Sequence, residues 1–155
     1  MTKNHTRNRH EKEHDMISLN EYADHDGLGL AALVARKEVT PEELVATAIA
    51  AIEKVNPKLN AVLQTLPQQA TAEIRQGLSQ GPFTGVPFLI KELVLHAKGV
   101  RCDMGSKLAQ GFVPQTDTEL MARFRRAGLV LVGTTQTPEL GYNPTTETTL
   151  FGPVH

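Results

Sequence analysis

Cysteine is nearly absent from this sequence: Cys102 stands alone, so no disulfide can form within the chain. Long hydrophobic runs are missing too, since no apolar stretch reaches the roughly 18 residues that a membrane-spanning helix needs. Neither sign of charge is in excess, with 16 Lys and Arg against 17 Asp and Glu. Such a balance leaves little to attract a phosphate backbone or an anionic membrane. We therefore expect a reducing, cytoplasmic setting, with neither nucleic acid nor a membrane as a partner.

Motifs for common cofactors are also missing. The sequence contains no Gly-rich phosphate loop, no cluster of metal ligands and no stripe of interleaved basic and aromatic residues. What is present is 155 residues with 40% hydrophobic and 21% charged side chains, which is about one domain's length and enough apolar material for a core. We expect a polar, disordered tail over residues 1–15 and one folded domain over residues 16–155. His10 and His14 in the tail are four residues apart, and on a helix two histidines at this spacing can bind a metal together. The favoured interpretation is that they are ordinary polar residues of the tail.

Helical patterns alternate with short apolar runs after the tail. Residues 30–37 predict a short amphipathic helix. The sequence Thr40-Pro41-Glu42-Glu43 then predicts a helix start with a capping box, and we expect Asn56-Pro57 to end that helix. A third amphipathic pattern covers residues 70–78 and leads to Gly81-Pro82.

The second half of the chain predicts two strands joined by a helix. Residues 88–95 are apolar apart from Lys91-Glu92, and the density favours one buried strand. A capping signature at residues 116–119 opens a helix that Gly128 ends, and residues 129–132 form a compact strand up to Gly133. Strand, helix and strand together indicate a parallel pair, whose functional groups usually lie beyond the carboxyl ends of the strands.

Lys91 is the most informative candidate for chemistry, because it interrupts an apolar run near such an end. A buried lysine becomes a neutral amine that accepts a proton, whereas a lysine at an exposed strand end simply points into solvent, and the local sequence leaves both interpretations open. The serines are Ser18, Ser79 and Ser106, of which the last is far enough along the chain to return beside Lys91 as a dyad. A Cys102 and His96 pair ranks last.

The loop after the second strand, residues 133–141, is rich in hydroxyl and amide groups. Under a functional interpretation, these groups orient a polar substrate or support a catalytic serine. Under a structural one, they build ordinary turns and helix caps, with Thr137-Pro138 as a helix start. Composition favours neither interpretation.

Several spaced segments resemble the amidase signature family. The most specific is residues 81–92, which contain Gly-Val-Pro before Lys91. The agreement extends from about residue 30 to the last residue, and includes residues 40–44, 55–62, 105–106, 117, 126–128, 133, 135, 138–139, 141, 145–147 and 151–152. The resemblance implies an α/β fold with a mixed sheet core between helices, and a Ser–cis-Ser–Lys triad that cleaves amides without metal or organic cofactor. It implies that Lys91 is the catalytic base and that Ser106 is structural.

The sequence departs from the family pattern in three places. Glu92 stands where Asp is usual, and Thr134 and Gln136 stand where Gly-Lys-Thr-Asn is common. The Gly- and Ser-rich segment that supplies both catalytic serines in the family does not occur. The resemblance therefore implies that residues 16–155 are the N-terminal part of an amidase, supplying the lysine base and inactive alone.

Three further expectations follow from the resemblance. Residues 145–147 and 151–152 look closest to the bacterial amidases that include hydrolases of cyclic aminohexanoate dimers, so a small-molecule amide is the expected substrate. A homodimer is left open for a full-length parent. The alternatives are an amidase-like component of a tRNA-dependent amidotransferase, which works with partner subunits, and a truncated product without catalysis.

Overall fold

The computed structural model describes residues 17–155. The expected tail, including His10 and His14, lies outside the described residues. The helices are α1 (Leu19–Ala23), α2 (Gly27–Ala35), α3 (Pro41–Leu59), α4 (Pro67–Gln76) and α5 (Glu119–Arg126). The strands are β1 (Val62–Thr65), β2 (Pro87–Lys91), β3 (Val130–Thr135), β4 (Glu147–Thr148) and β5 (Gly152–Pro153). Single 3-10 turns occupy Lys107–Ala109 and Glu139–Gly141.

The capping box predicted for α3 is present. The Thr40 hydroxyl accepts a hydrogen bond from the Glu43 N–H, and the Glu43 carboxylate accepts one from the Thr40 N–H. The predicted end at Asn56-Pro57 is wrong, because the helix continues through Pro57 to Leu59. A proline near the last turn removes only one backbone hydrogen bond, so the helix survives it. It ends where Asn60 adopts a left-handed conformation with φ of 51°.

The third predicted helix is shifted toward the N-terminus. Helix α4 begins at Pro67 and ends at Gln76, so Leu78 and Gly81 lie outside it. Pro67 occupies the first helical turn, where its missing N–H has no partner to lose, and Gly77 with φ of 95° stops the helix.

The main sheet is mixed and has the strand order β1-β3-β2. Strands β2 and β3 are parallel and joined through α5, which confirms the predicted strand–helix–strand unit. Strand β1 runs antiparallel on the other side of β3. A bulge places Leu131 and Gly133 opposite the consecutive residues Phe88 and Leu89, which leaves Val132 as the extra residue of β3.

Helices cover both faces of the sheet. On one face, residues of α3 and α4 pack against Val130 and Val132. On the other, Met121 of α5 packs against Ile90 and Leu131. Because side chains alternate along a strand, the two neighbours of Leu131 belong to the opposite layer. This arrangement confirms the α/β fold with a mixed sheet between helices.

Candidate active site

The carboxyl ends of β2 and β3 lie side by side at one edge of the sheet, where Lys91 is the register partner of Thr135. Lys91 is exposed, and within residues 17–155 its side chain has no hydrogen-bond or ion-pair partner. Of the two interpretations that the local sequence leaves open for Lys91, the described residues therefore show the exposed one. The physical reason is that β2 is an outer strand of the sheet, and none of the described residues covers its end.

Glu92, rather than Lys91, is the buried member of the charged pair, with a relative exposure of 1%. Its carboxylate accepts hydrogen bonds from Thr134 Oγ1 at 3.0 Å and from Gln64 Nε2 at 3.1 Å. It also accepts one from the Asp103 N–H at 3.1 Å. Donors from β1, β3 and a distant loop thus meet on one side chain.

A second buried carboxylate, Asp103, adjoins Glu92 and has the same 1% exposure. Its Oδ1 accepts a hydrogen bond from the Gly111 N–H at 2.7 Å, and its Oδ2 lies 3.2 Å from Arg101 Nε. Burial raises the pKa of the Glu92 carboxyl, and the charge of Asp103 adds to this rise, although the three donated hydrogen bonds oppose it. Two buried carboxyl groups therefore adjoin each other next to the end of β2.

The backbone reverses sharply after Glu92. Leu93 N–H donates to the Lys91 carbonyl at 2.8 Å, and Leu95 N–H donates to the Leu93 carbonyl at 2.6 Å. Val94 lies between them with φ of 61° and is 76% exposed. A β-branched residue in this conformation costs on the order of 1–3 kcal/mol. The predicted buried strand over residues 88–95 is therefore wrong beyond Lys91.

Ser106 is buried and engaged elsewhere. Its hydroxyl donates to Glu139 Oε1 at 2.7 Å and accepts from the Leu108 N–H at 3.2 Å. The structure shows no hydrogen bond between Ser106 and Lys91 among the described residues, so the internal dyad is not formed. Gly105, just before it, has φ of 64°, and a Cβ there would lie 2.6 Å from the Thr137 carbonyl oxygen.

Cys102 and His96 do not form a pair among residues 17–155. Cys102 is buried, and burial raises the pKa of its thiol, with the charge of Glu92 as a second cause. The thiol therefore stays protonated and poorly nucleophilic. The His96 ring instead packs edge-on against Phe112, with ring centroids 6.3 Å apart.

The polar segment predicted to follow the second strand begins inside that strand, because β3 continues past Gly133 to Thr135. Its residues up to Pro138 are mostly buried and stabilise the framework. Thr134 binds Glu92, and Gln136 Nε2 donates to the Asn60 carbonyl at the end of α3. Thr137 is 1% exposed, and its hydroxyl has no partner within the described part of the chain. Pro138 precedes a single 3-10 turn at Glu139–Gly141 rather than a longer helix.

The described part of the chain offers neither a metal-ligand cluster nor a membrane span. Between residues 17 and 155 no group of three or more His, Cys, Asp or Glu side chains converges at metal-binding distance. None of the helices in that range is both long and apolar enough to cross a membrane.

The comparisons with known proteins agree on one family. The model of the Amidase family matches residues 43–155. The 6-aminohexanoate-cyclic-dimer hydrolase of Paenarthrobacter ureafaciens is 38% identical over 130 residues, covering 82% of this chain and 26% of that protein. A glutamyl-tRNA(Gln) amidotransferase subunit of Methylococcus capsulatus is 34% identical over 131 residues, covering 81% of this chain and 27% of that protein.

A solved structure extends the agreement to three dimensions. The structure of 6-aminohexanoate cyclic dimer hydrolase complexed with substrate superposes with a TM-score of 0.79 at 35% identity, covering 84% of this chain and 27% of that chain. This chain belongs to the amidase family, as the resemblance predicted. It spans about a quarter of the length of the curated relatives it matches.

Sequence reasoning missed the buried carboxylates Glu92 and Asp103. One signal was available: Glu92 follows directly on an apolar strand, and side chains alternate across a sheet, so one member of the Lys91-Glu92 pair had to face inward. The partners that make this burial tolerable lie 11 to 42 residues away in sequence, and no local pattern indicates them.

Proposed function

We propose that this chain supplies the lysine base and the N-terminal framework of an amidase that hydrolyses amide C–N bonds. The observation that carries the proposal is the place of Lys91 in a member of the amidase family. It ends β2 at the carboxyl edge of a parallel pair, and its amine has no competing partner among residues 17–155. An amine that is free of carboxylates is available to exchange protons with a hydroxyl group.

The mechanism that fits this residue uses two serines. In this mechanism Lys91 acts as a neutral amine, which requires that the rest of the enzyme cover it, because the described residues leave it exposed. The amine accepts the proton of a bridging serine, which in turn takes the proton of the nucleophilic serine as that oxygen attacks the amide carbonyl. Backbone N–H groups stabilise the oxyanion, the nitrogen leaves with a proton as the amine, and water then cleaves the acyl-enzyme ester. Nothing in this sequence of steps requires a metal or an organic cofactor.

Two of the three serines make structural hydrogen bonds, and the third lies exposed. Ser18 Oγ accepts the Glu21 N–H at the start of α1, Ser106 bonds Glu139, and Ser79 lies exposed in the loop after α4. We infer that the nucleophilic and bridging serines come from outside these 155 residues, and that the chain alone is inactive.

A small-molecule amide in a reducing, cytoplasmic setting is the substrate we propose. The similarity to 6-aminohexanoate-cyclic-dimer hydrolases favours cyclic aliphatic amides. The similarity to glutamyl-tRNA(Gln) amidotransferase subunits favours a second candidate, in which the same triad releases ammonia for transfer by a multi-subunit enzyme. A preference for free glutamine over aliphatic amides separates the second from the first.

The test joins the full 155-residue chain to the part of the Paenarthrobacter ureafaciens hydrolase that lies beyond the matched 26%. We expect this hybrid to hydrolyse the cyclic dimer and to react with a fluorophosphonate, and the unjoined chain to do neither. Lys91→Ala in the hybrid is expected to lower turnover by at least about 10²- to 10⁴-fold, the range of general base catalysis. Lys54→Ala, which removes an exposed lysine from α3, is the control. Equal turnover of the Lys91→Ala hybrid and its parent would remove Lys91 from this role.

A further inference from the structure

The side chain of Glu92 joins three parts of the structure directly behind the candidate base. Gln64 belongs to β1, Thr134 belongs to β3, and the Asp103 N–H belongs to the loop that follows β2. All three donate to one carboxylate that is 1% exposed. Burying a carboxylate costs free energy unless its oxygens accept hydrogen bonds. Moving any of these three donors away from Glu92 would therefore be unfavourable, so the side chain restrains the positions of its partners.

The backbone of the same residue extends the ladder by one step. Glu92 N–H donates to the Thr135 carbonyl at 3.0 Å, and Leu93 N–H then turns back to the Lys91 carbonyl at 2.8 Å. Lys91 is consequently the last residue before the chain reverses. Its Cα–Cβ direction is set by peptide groups on both sides, and one of them belongs to Glu92.

We propose that Glu92 is a positioning residue for Lys91, because its carboxylate anchors the carboxyl end of β2 to β1, β3 and the Asp103 loop and so fixes where the lysine points. This inference rests on the proposed function of Lys91 as a base. Alternation along the strand puts Ile90 and Glu92 in the layer of α5 and Lys91 in the opposite one, so the anchor acts from behind the sheet without touching substrate.

Two substitutions should release the anchor for different reasons. Glu92→Gln replaces one accepting oxygen with an NH₂ group, which then faces donors rather than acceptors. Glu92→Asp keeps the charge but withdraws it by one methylene from all three donors. Thr134→Val removes a single donor and keeps the side-chain shape, so it gives a milder version of the same defect if the Glu92 variants fold poorly.

The first arm of the experiment is hydrogen exchange on the 155-residue chain. Glu92→Gln should speed exchange of the amides at residues 91–93 by about tenfold, as expected for losing a hydrogen bond to a charged acceptor. Glu53→Gln removes the same charge from an exposed site on α3 and should leave these amides unchanged. Asp103→Asn, at the neighbouring buried carboxylate, should loosen Gly111 and not Lys91. Unchanged exchange at residues 91–93 in the Glu92→Gln, Glu92→Asp and Thr134→Val variants would overturn the proposal.

The second arm is kinetic and uses the hybrid enzyme described above. Glu92→Gln and Thr134→Val should lower kcat by about 10- to 100-fold at nearly constant KM, since misplacing a catalytic group costs rate rather than binding. A purely structural role would lower the amount of folded enzyme and leave kcat per active site, titrated with fluorophosphonate, unaltered; that result would overturn the proposal. If the Lys91→Ala hybrid is inactive while the anchor variants keep full kcat, only the positioning role fails. If the Lys91→Ala hybrid stays active, the proposed function fails and the positioning role falls with it.

Discussion

Ser106 and Glu139 are joined by a hydrogen bond of 2.7 Å that links loops 33 residues apart. A second link runs beside it, from the Leu140 N–H to the Met104 carbonyl at 2.9 Å. The two loops flank the carboxyl edge of the β2–β3 pair and are held as one unit. Ser106, to which the family resemblance assigns a structural position, thus links two loops in the structure.

Replacing Ser106 tests how much its hydrogen bond to Glu139 contributes to stability. Ser106→Ala leaves the Glu139 carboxylate without its buried donor and should lower the free energy of unfolding by about 1–3 kcal/mol, measured by urea denaturation. Ser79→Ala, at an exposed site, should stay within about 0.5 kcal/mol of the parent. Equal midpoints for the Ser106→Ala and parent chains would show that the Ser106–Glu139 bond contributes nothing to stability.

The Glu92 carboxyl gives the chain a pH dependence with a definite sign. Burial raises its pKa in the folded state above the ordinary value of 4.5, so the folded state holds this proton more tightly than the unfolded state does. The contribution of Glu92 to stability is fully present below pH 4.5 and is lost as the pH rises through the folded-state pKa. Unfolding midpoints measured across this window should decline with rising pH.

Glu92→Gln isolates that contribution, because an amide does not titrate. Because ionisation of the buried carboxyl destabilises only the parent, the stability of the variant relative to the parent should increase as the pH rises through the folded-state pKa of Glu92. Glu53→Gln serves as the control and should keep the slope of the parent. A Glu92→Gln chain with an unchanged slope above the ordinary carboxyl pKa of 4.5 would mean that another group titrates in this window.

Asp117 should give the stability of the chain the opposite dependence on pH. Burial alone would raise the pKa of this carboxyl, but hydrogen bonds from the Lys98 N–H at 2.7 Å and Arg125 Nε at 2.8 Å outweigh burial and lower it. The stabilisation is therefore present above the ordinary value of 3.8 and is lost as the pH falls through the folded-state pKa. Asp117→Asn should destabilise the chain by about 1–3 kcal/mol at neutral pH, and the difference should shrink in acid.

A matched control for Asp117 is available on the neighbouring helix. Glu119 pairs with Arg123 and Arg126 on the surface of α5, where both partners are more than half exposed. Exposed pairs contribute little, so Glu119→Gln should leave the thermal midpoint essentially unchanged. A loss as large as that of Asp117→Asn would indicate that helix charge, rather than the hydrogen bonds to Asp117, sets the effect.

Gly133 permits the close approach of β1 to β3. A Cβ at this position would overlap the Gln64 carbonyl oxygen and lie 3.0 Å from Leu89 Cδ2. Gly133→Ala should therefore cost about 1–3 kcal/mol, the usual range for overpacking, and should be visible in urea denaturation. Gly27→Ala, whose Cβ would meet Phe83 at an ordinary 3.5 Å, should be tolerated. Similar stability of the two variants would show that the strands separate without cost.

The sequence predicted elements whose cause is local. The capping box at Thr40 and Glu43 needs four consecutive residues, and the β2–α5–β3 unit follows from apolar runs around a capped helix. The end of α3 was missed because Asn56 acts beyond its own helix: its Oδ1 accepts the N–H groups of Ala61 and Val62 and leads the chain into β1.

The sequence predicts where the site lies, but not which of its two charged side chains is buried. The apolar run and the strand–helix–strand pattern place residues 91 and 92 at the edge where function lies. Which of the two faces inward depends on the reversal at Leu93 and on donors 28 and 42 residues away, at Gln64 and Thr134. Such distant polar partners decide burial, and a local pattern contains no information about them.

Val94 closes the reversal with φ of 61°, a conformation that disfavours β-branched residues, and its side chain is 76% exposed. Val94→Asn should stabilise the chain by about 0.5–1.5 kcal/mol, because asparagine tolerates left-handed backbone and little apolar burial is lost. Val113→Asn, at a 41% exposed valine without positive φ, is the comparison and should be neutral or destabilising. A lower urea midpoint for Val94→Asn would mean that contacts of the valine side chain contribute more than its backbone strain costs. In that case packing of Val94 would stabilise the reversal after Glu92.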